Sequence, residues 1–246
     1  MPTLIVGDLH FKQHEILPRV SELIARLGAE RVVFCGDLCD DWGATGERAL
    51  GSLSFMADWL REARASGVRA DVLLGNHDFA YVEGVPGAGT IGWLMGEVRE
   101  RLLSFEPVVA TTVDDVLVTH AGVTRAWARE WLPGCADAHD ACLALEGLYA
   151  DRACWGALAQ AGPARGGWQV PGPLWADASE LAADPLPGVR QVVGHTPQRT
   201  CARLCADPEV WCCDTFSLFR DGRPVGDGTM LVVDDGKIEV VGEMPA

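Results

Sequence analysis

The chain has 246 residues, 35 acidic against 20 Lys plus Arg, a formal net charge of -15, and a 48% hydrophobic composition. That composition excludes wholesale disorder, and no apolar run approaches the ~18 residues a membrane span needs. A surface this acidic repels polyphosphate backbones, so nucleic acid is not an expected partner, and any phosphate ligand needs a local positive centre.

The first strand-like run is Leu4-Ile5-Val6, which leads into Gly7-Asp8-Leu9-His10. No basic region precedes a long apolar stretch at the N-terminus, so no secretory leader is expected and the location expected is cytoplasmic. Ile16, Leu17, Val20, Leu23, Ile24 and Leu27 then recur at helical spacing, with Gly28 where a C-terminal cap belongs. A second run, Val32-Val33-Phe34, leads through Cys35 into Gly36-Asp37. Leu50, Leu53, Met56, Ala57 and Leu60 form the next helical stripe, stopping near Gly67. Val72-Leu73-Leu74 leads into Gly75-Asn76-His77-Asp78, and Ile91, Leu94, Met95, Val98 and Leu102 form a third stripe. Val116-Leu117-Val118-Thr119 ends in His120-Ala121-Gly122, and Val192-Val193 in Gly194-His195-Thr196-Pro197. The three stripes read as core-facing helices.

Residues 124–173 break the rhythm with Trp127, Trp131, Trp155 and Trp168 and little strand signal. They read as a mainly helical insertion in a single domain over 1–246, with a loose tail from Gly162 to Pro173 near the active end; a peripheral packing subdomain is the alternative. At the C-terminus, Val210 to Asp214, Met230 to Val233 and Ile238 to Val241 read as antiparallel strands, the last two joined by an Asp235-Gly236 turn. An odd cysteine count without a secretion signal argues for reduced thiols. The Cys201, Cys205, Cys212 and Cys213 cluster is poor geometry for structural zinc, because adjacent residues on a strand point to opposite faces.

Strands alternating with helices predict a largely parallel sheet covered on both faces, with ligands bound outside the carboxyl ends of its strands. Every polar cluster lies at that end. Asp8, His10, Asp37, Asn76, His120 and His195 form an oxygen and imidazole donor set suited to Mn, Fe, Zn or Co. Gathered without a cation, the carboxylates would repel and the imidazoles would lose solvation. Two divalent cations about 3.5–4 Å apart, bridged by Asp37, resolve both problems. His14 and His139 are expected on helix surfaces.

In this order, Gly7-Asp8-Leu9-His10, Gly36-Asp37-Leu38-Cys39-Asp40, Gly75-Asn76-His77-Asp78, His120-Ala121-Gly122 and Gly194-His195-Thr196-Pro197 resemble the calcineurin-like metallophosphoesterases. Thr196-Pro197 after His195, and Leu174-Trp175 with Asp177, are similar to the branch of serine/threonine phosphoprotein phosphatases and diadenosine-tetraphosphate hydrolases. The resemblance implies a four-layer α/β/β/α sandwich. It places one metal on Asp8, His10 and Asp37, and the other on Asp37, Asn76, His120 and His195, with manganese the first choice and iron, zinc, cobalt, nickel or magnesium the alternatives. It further implies that a hydroxide bridging the metals attacks phosphorus, that His77 is the general acid with Asp40 orienting it, and that Asp78 is a turn residue. The activity expected is hydrolysis of phosphomonoester or phosphoanhydride bonds in a small phosphorylated substrate such as a nucleotide. The alternatives are a protein serine/threonine phosphatase, a diesterase or nuclease, or a non-catalytic metal-binding scaffold.

Two departures stand out. Phosphoprotein phosphatases carry a phosphate-clamping Arg after the residue matched by Asp40, whereas here Asp41 and Trp42 follow, and a carboxylate there would repel phosphate. Phe11 replaces the Gly that follows His10. Arg125 and Arg199 are the candidates to replace the clamp, and Trp42 with the Trp-rich segment could stack a base.

Overall fold

The computed structural model describes residues 1–242. Its elements are β1 (Thr3–Val6), α1 (Gln13–Leu27), β2 (Arg31–Phe34), α2 (Gly46–Ala65), β3 (Arg69–Val72), α3 (Asn76–Glu83), α4 (Met95–Ser104), β4 (Ala110–Val113) and β5 (Val116–Thr119). They continue with α5 (Arg125–Trp131), α6 (Ala138–Ala150), α7 (Trp155–Leu158), α8 (Ala178–Ala183), β6 (Arg190–Val193), β7 (Ala202–Ala206), β8 (Glu209–Cys212), β9 (Met230–Asp234) and β10 (Lys237–Val241). Helix α1 stops where its apolar stripe stops: Gly28 takes φ 63° and returns its N–H to the carbonyl of Ile24. Helix α2 starts where Thr45 accepts from the Arg48 N–H. Both ends are predictable from side-chain chemistry.

The strands form two five-stranded sheets, in the orders β10-β9-β1-β2-β3 and β4-β5-β6-β8-β7. Pairing is parallel among β1, β2 and β3 and among β5, β6 and β8, and antiparallel at β9, β10, β4 and β7. The parallel strands that periodicity predicts thus lie in two mixed sheets, as the expected four-layer sandwich requires. Side-chain alternation explains how they stack. Leu4 and Val6 pack with Ile16, Leu17 and Val20 of α1, while Ile5 between them joins Val33, Val116, Val118, Val192, Leu231 and Val233 in a second cluster built from both sheets. Leu117 faces away from its neighbours toward Ala141 and Leu145 of α6, and Leu181 of α8 covers Val193 and Val210. Each sheet therefore has helices on one face and the other sheet on the other, which is the α/β/β/α sandwich.

Residues 124–173 are mainly helical, as expected, with Trp127 buried and stacked on Trp131. The consequence for function is positional. The carboxyl ends of β1, β2 and β3 in one sheet, and of β5 and β6 in the other, open at one rim, and the five polar clusters leave the sheets there.

Candidate metal centre

Asp8, His10 and Asp37 bring ligand atoms within 4.8 Å of one another, and so do Asp37, His120 and His195, so Asp37 belongs to both groups. Asp8, Asp37, His120 and His195 are buried. The backbone at these positions is unusual. His10, Phe11, Asp37, Asp40 and His195 all have positive φ, between 45° and 67°, a region non-glycine residues rarely adopt. Strain of this kind persists only when surrounding contacts over-determine it, and it gathers at functional sites. Phe11, at φ 53°, holds the left-handed turn after His10; it is 2% exposed and its N–H donates to the Leu38 carbonyl at 2.9 Å.

The hydrogen bonds fix the tautomers. His10 Nδ1 contacts the carbonyls of Cys39 (3.1 Å) and Asp40 (2.7 Å), so it carries the proton and leaves Nε2 bare, 3.8 Å from Asp8 Oδ2. His120 Nδ1 donates to the Cys35 carbonyl at 2.9 Å, again leaving Nε2 bare. That Nε2 lies 3.0 Å from Asn76 Oδ1, 3.0 Å from His195 Nδ1 and 3.5 Å from Asp37 Oδ2. His195 Nε2 is buried without a partner among the described residues. Asp37, Asn76 and His120 thus point lone pairs at one spot that His195 Nδ1 also faces, a set whose donor atoms suit a divalent cation. Carbonyl-oriented imidazoles are the usual outer support of such ligands.

Protonation fits the same reading. Burial holds His10 down to about 4 and also lowers His120 and His195, so all three imidazoles are neutral donors. Burial works to raise Asp37, yet its carboxyl lies well below the usual range in a ring of imidazoles, of which His77 is the one that carries charge. Asp8 is raised by burial and then by Asp214 and Asp37, the cost of crowding carboxylates without a counter-charge. The donor set therefore fits two divalent metals sharing Asp37.

Beside this cluster, His77 Nδ1 meets Asp40 Oδ2 at 3.0 Å, while its backbone N–H donates to Asp37 Oδ1 at 2.9 Å. Tyr81 donates to the other Asp40 oxygen at 2.7 Å and itself accepts from the Ile91 N–H. Burial pulls the His77 imidazole down, yet Asp37 and Asp40 lift it to about 9. Asp78 accepts from the N–H groups of Gly75, Leu38 and Cys39, tying the β3 loop to the β2 loop.

Asp41 does not stand as a repulsive charge at the mouth. Its carboxylate is 3% exposed and turned toward Arg48 at 2.9 Å and Lys12 at 3.7 Å. Of the two clamp candidates, Arg125 is committed to Asp184 at 2.7 Å. Arg199 is exposed, and its carbonyl accepts from the Asp227 N–H at 2.9 Å. The guanidinium the fold does bring to the site is Arg165, from the tail of the helical insertion. Its Nη2 donates to Thr196 Oγ1 at 2.9 Å and to the His195 carbonyl at 3.3 Å, and its Nε pairs with Asp177 at 3.1 Å. Arg165 was not legible in the sequence; its one signal is its place in the Gly162 to Pro173 tail. His14 and His139 are exposed on α1 and α6, and all nine cysteines are free.

Strand ends carrying this constellation define a phosphoesterase scaffold, and comparison with known proteins agrees. Residues 1–210 match the family model of the calcineurin-like phosphoesterases, and the chain belongs to that family. A symmetrical bis(5'-nucleosyl)-tetraphosphatase from Janthinobacterium sp. (strain Marseille) is 29% identical over 136 residues, which span 52% of this chain and 46% of that protein. Among solved structures, a cold-active protein-tyrosine phosphatase from Shewanella sp. superposes with a TM-score of 0.62 at 18% identity, covering 97% of this chain and 77% of its own. A protein serine/threonine phosphatase from Saccharomyces cerevisiae gives 0.50 at 14% identity, covering 100% and 81%. The two structural likenesses concern the fold.

Proposed function

We propose that this protein is a metal-dependent phosphoesterase that hydrolyses phosphomonoester or phosphoanhydride bonds in a small phosphorylated substrate, a nucleotide foremost. The observation that carries the proposal is the convergence of donor atoms from Asp37, Asn76, His120 and His195 beside the Asp8, His10 and Asp37 group. One metal would sit on Asp8, His10 and Asp37, the other on Asp37, Asn76, His120 and His195. When bound, such a pair supplies positive charge for the phosphate and activates water near neutral pH.

The remaining work belongs to side chains. His77, cationic and held by Asp40, is placed to protonate the leaving oxygen, and Tyr81 keeps Asp40 in position for it. Arg165 stands beside His195 with Asp177 as its counter-ion, so what it offers an anion is directed N–H donors rather than net charge. The relative from Janthinobacterium is named for cleaving a dinucleoside polyphosphate, which supports the phosphoanhydride branch of the proposal.

The test is a panel of p-nitrophenyl phosphate, nucleotides and dinucleoside polyphosphates with manganese and other dications. Turnover should require the metal. His77→Ala should lower kcat by about 10²–10⁴-fold while the bound metal, measured by elemental analysis, stays unchanged. Hydrolysis that survives chelation, or a fully active His77→Ala, would remove the proposal.

A further inference from the structure

Trp42 occupies the place beside Asp41 where the sequence departs from the phosphoprotein phosphatases, and the structure gives it an unusual setting. It is 58% exposed, although an indole loses by standing in water. It is also held in one pose: Nε1–H donates to the Leu218 carbonyl at 3.0 Å, and its backbone N–H donates to Asp41 Oδ1 at 2.8 Å. With Asp41 pinned inward by Lys12 and Arg48, the following residue is sent outward. Arg220 lies 6.0 Å from the Trp42 ring centroid, and Phe219 beside it is 49% exposed.

This aromatic and cationic group lies at the rim of the metal centre. Trp42 is two residues, at most about 7 Å of chain, from Asp40, whose carboxylate meets His77 and whose carbonyl meets His10. The segment that carries Leu218 to Arg220 is tied down by Ser217, which donates to Asp214 next to the Asp8 carboxylate. A rigid aromatic face with a guanidinium at hand is the arrangement on which nucleobases stack.

We infer that Trp42, with Phe219 and Arg220, is a platform for the base of a nucleotide whose phosphates lie on the metal centre. The inference rests on the proposed phosphoesterase reading and narrows its substrate class to nucleotides. A polymer is disfavoured by the net charge of -15, whereas a single nucleotide needs only the local cations. Base and phosphate are thus held by neighbouring residues of one loop.

The experiment compares adenosine triphosphate with inorganic tripolyphosphate, which has the same phosphate chain and no base. Trp42→Ala should lower the ratio of their kcat/KM values about tenfold, through KM for the nucleotide, and Trp42→Phe should restore most of it. A ratio that Trp42→Ala leaves unchanged overturns the platform. So does an equal loss on O-phospho-L-tyrosine, which would make the ring a site for any aromatic leaving group. Should the wild-type protein turn over neither phosphate, the phosphoesterase reading fails by itself, and calorimetric titration with adenosine monophosphate still decides the platform. Binding weakened about tenfold by Trp42→Ala supports it; absent binding, or binding that Trp42→Ala does not change, overturns it.

Discussion

Gly194 tests the metal centre without touching a ligand. Its backbone does not need the left-handed region; what it needs is the absence of a side chain. A methyl group at this position would overlap Asp8 Oδ1 far inside the 3.0 Å that real Cβ contacts keep, and would lie 3.4 Å from Asp8 Cγ and 3.2 Å from the Cys35 Cβ. The same carboxylate is held by the His195 N–H at 3.0 and 3.1 Å. In Gly194→Ala the carboxylate must retreat by roughly 1 Å to recover van der Waals separation. A metal–oxygen bond of about 2.0–2.2 Å does not survive that displacement. The expected result is a loss of manganese affinity at the Asp8 side of at least 10–100-fold, the range seen when support of a ligand is removed, with activity falling in parallel. Calorimetric titration with manganese measures it. The double variant Gly194→Ala/Asp8→Ala decides the cause, because a clash that acts through Asp8 adds nothing once Asp8 is gone. Wild-type manganese affinity in Gly194→Ala, or additive losses in the double variant, would refute the reasoning.

Two further outcomes follow from the charge arrangement. Arg165→Ala should raise KM for a phosphorylated substrate by about 10–150-fold, from the loss of a charge-assisted contact worth about 1.5–3 kcal/mol, while the metal content measured by elemental analysis stays at the wild-type level. At the opposite rim, Arg31 and Arg69 pair with Asp71, which also accepts from Thr111 Oγ1 at 3.2 Å, while Arg31 donates to the Thr112 carbonyl at 2.7 Å. Burial alone would raise Asp71, but Arg31 and then Arg69 hold it below the ordinary value. A depressed carboxyl contributes stability above its unfolded pKa of about 3.9 and loses that contribution as pH falls through the folded value. Asp71→Asn should therefore cost about 1–2 kcal/mol in urea unfolding at pH 7, and the gap to wild type should close below about pH 4; a gap independent of pH would count against the pairing.

The strands that deliver the ligands are readable because each couples a β-branched run to a polar cluster, and their positions match to within three residues. The two strands that were not read, β4 and β7, are the edges of the second sheet. Ala110-Thr111-Thr112-Val113 is too polar, and Ala202-Arg203-Leu204-Cys205-Ala206 too poor in β-branched residues, to stand out, and an edge strand is under little pressure to be apolar. The split into two sheets is legible only through the ordered ligand motifs and their resemblance, because apolar runs say that a strand is buried, not which neighbour it pairs with. Asp41 shows a third limit. Read alone it is a negative charge at a phosphate site; its neutralising partners, Lys12 and Arg48, come from the chain before β2 and from α2. Arg165 is the converse, because its link to His195 spans 30 positions that no local pattern records.

Placing a cation in an acidic protein is a matter of which carboxylates are left without donors. Asp40 is met by His77 and Tyr81, Asp78 by three backbone N–H groups, Asp41 by Arg48 and Lys12, and Asp214 by Ser217. A carboxylate offers about four lone-pair sites. Among the described residues, Asp8 receives the His195 N–H, and Asp37 the His77 N–H together with neighbouring imidazoles that are bare on the facing nitrogen. Asp40, Asp41 and Asp78 thus each meet two or more donors, while Asp8 and Asp37 each meet one N–H at adjacent strand ends, against neutral rings. Two dications held there, against two carboxylates, would sum to about +2, and positive potential for an incoming phosphate would then arise at one point of a chain whose overall charge opposes it.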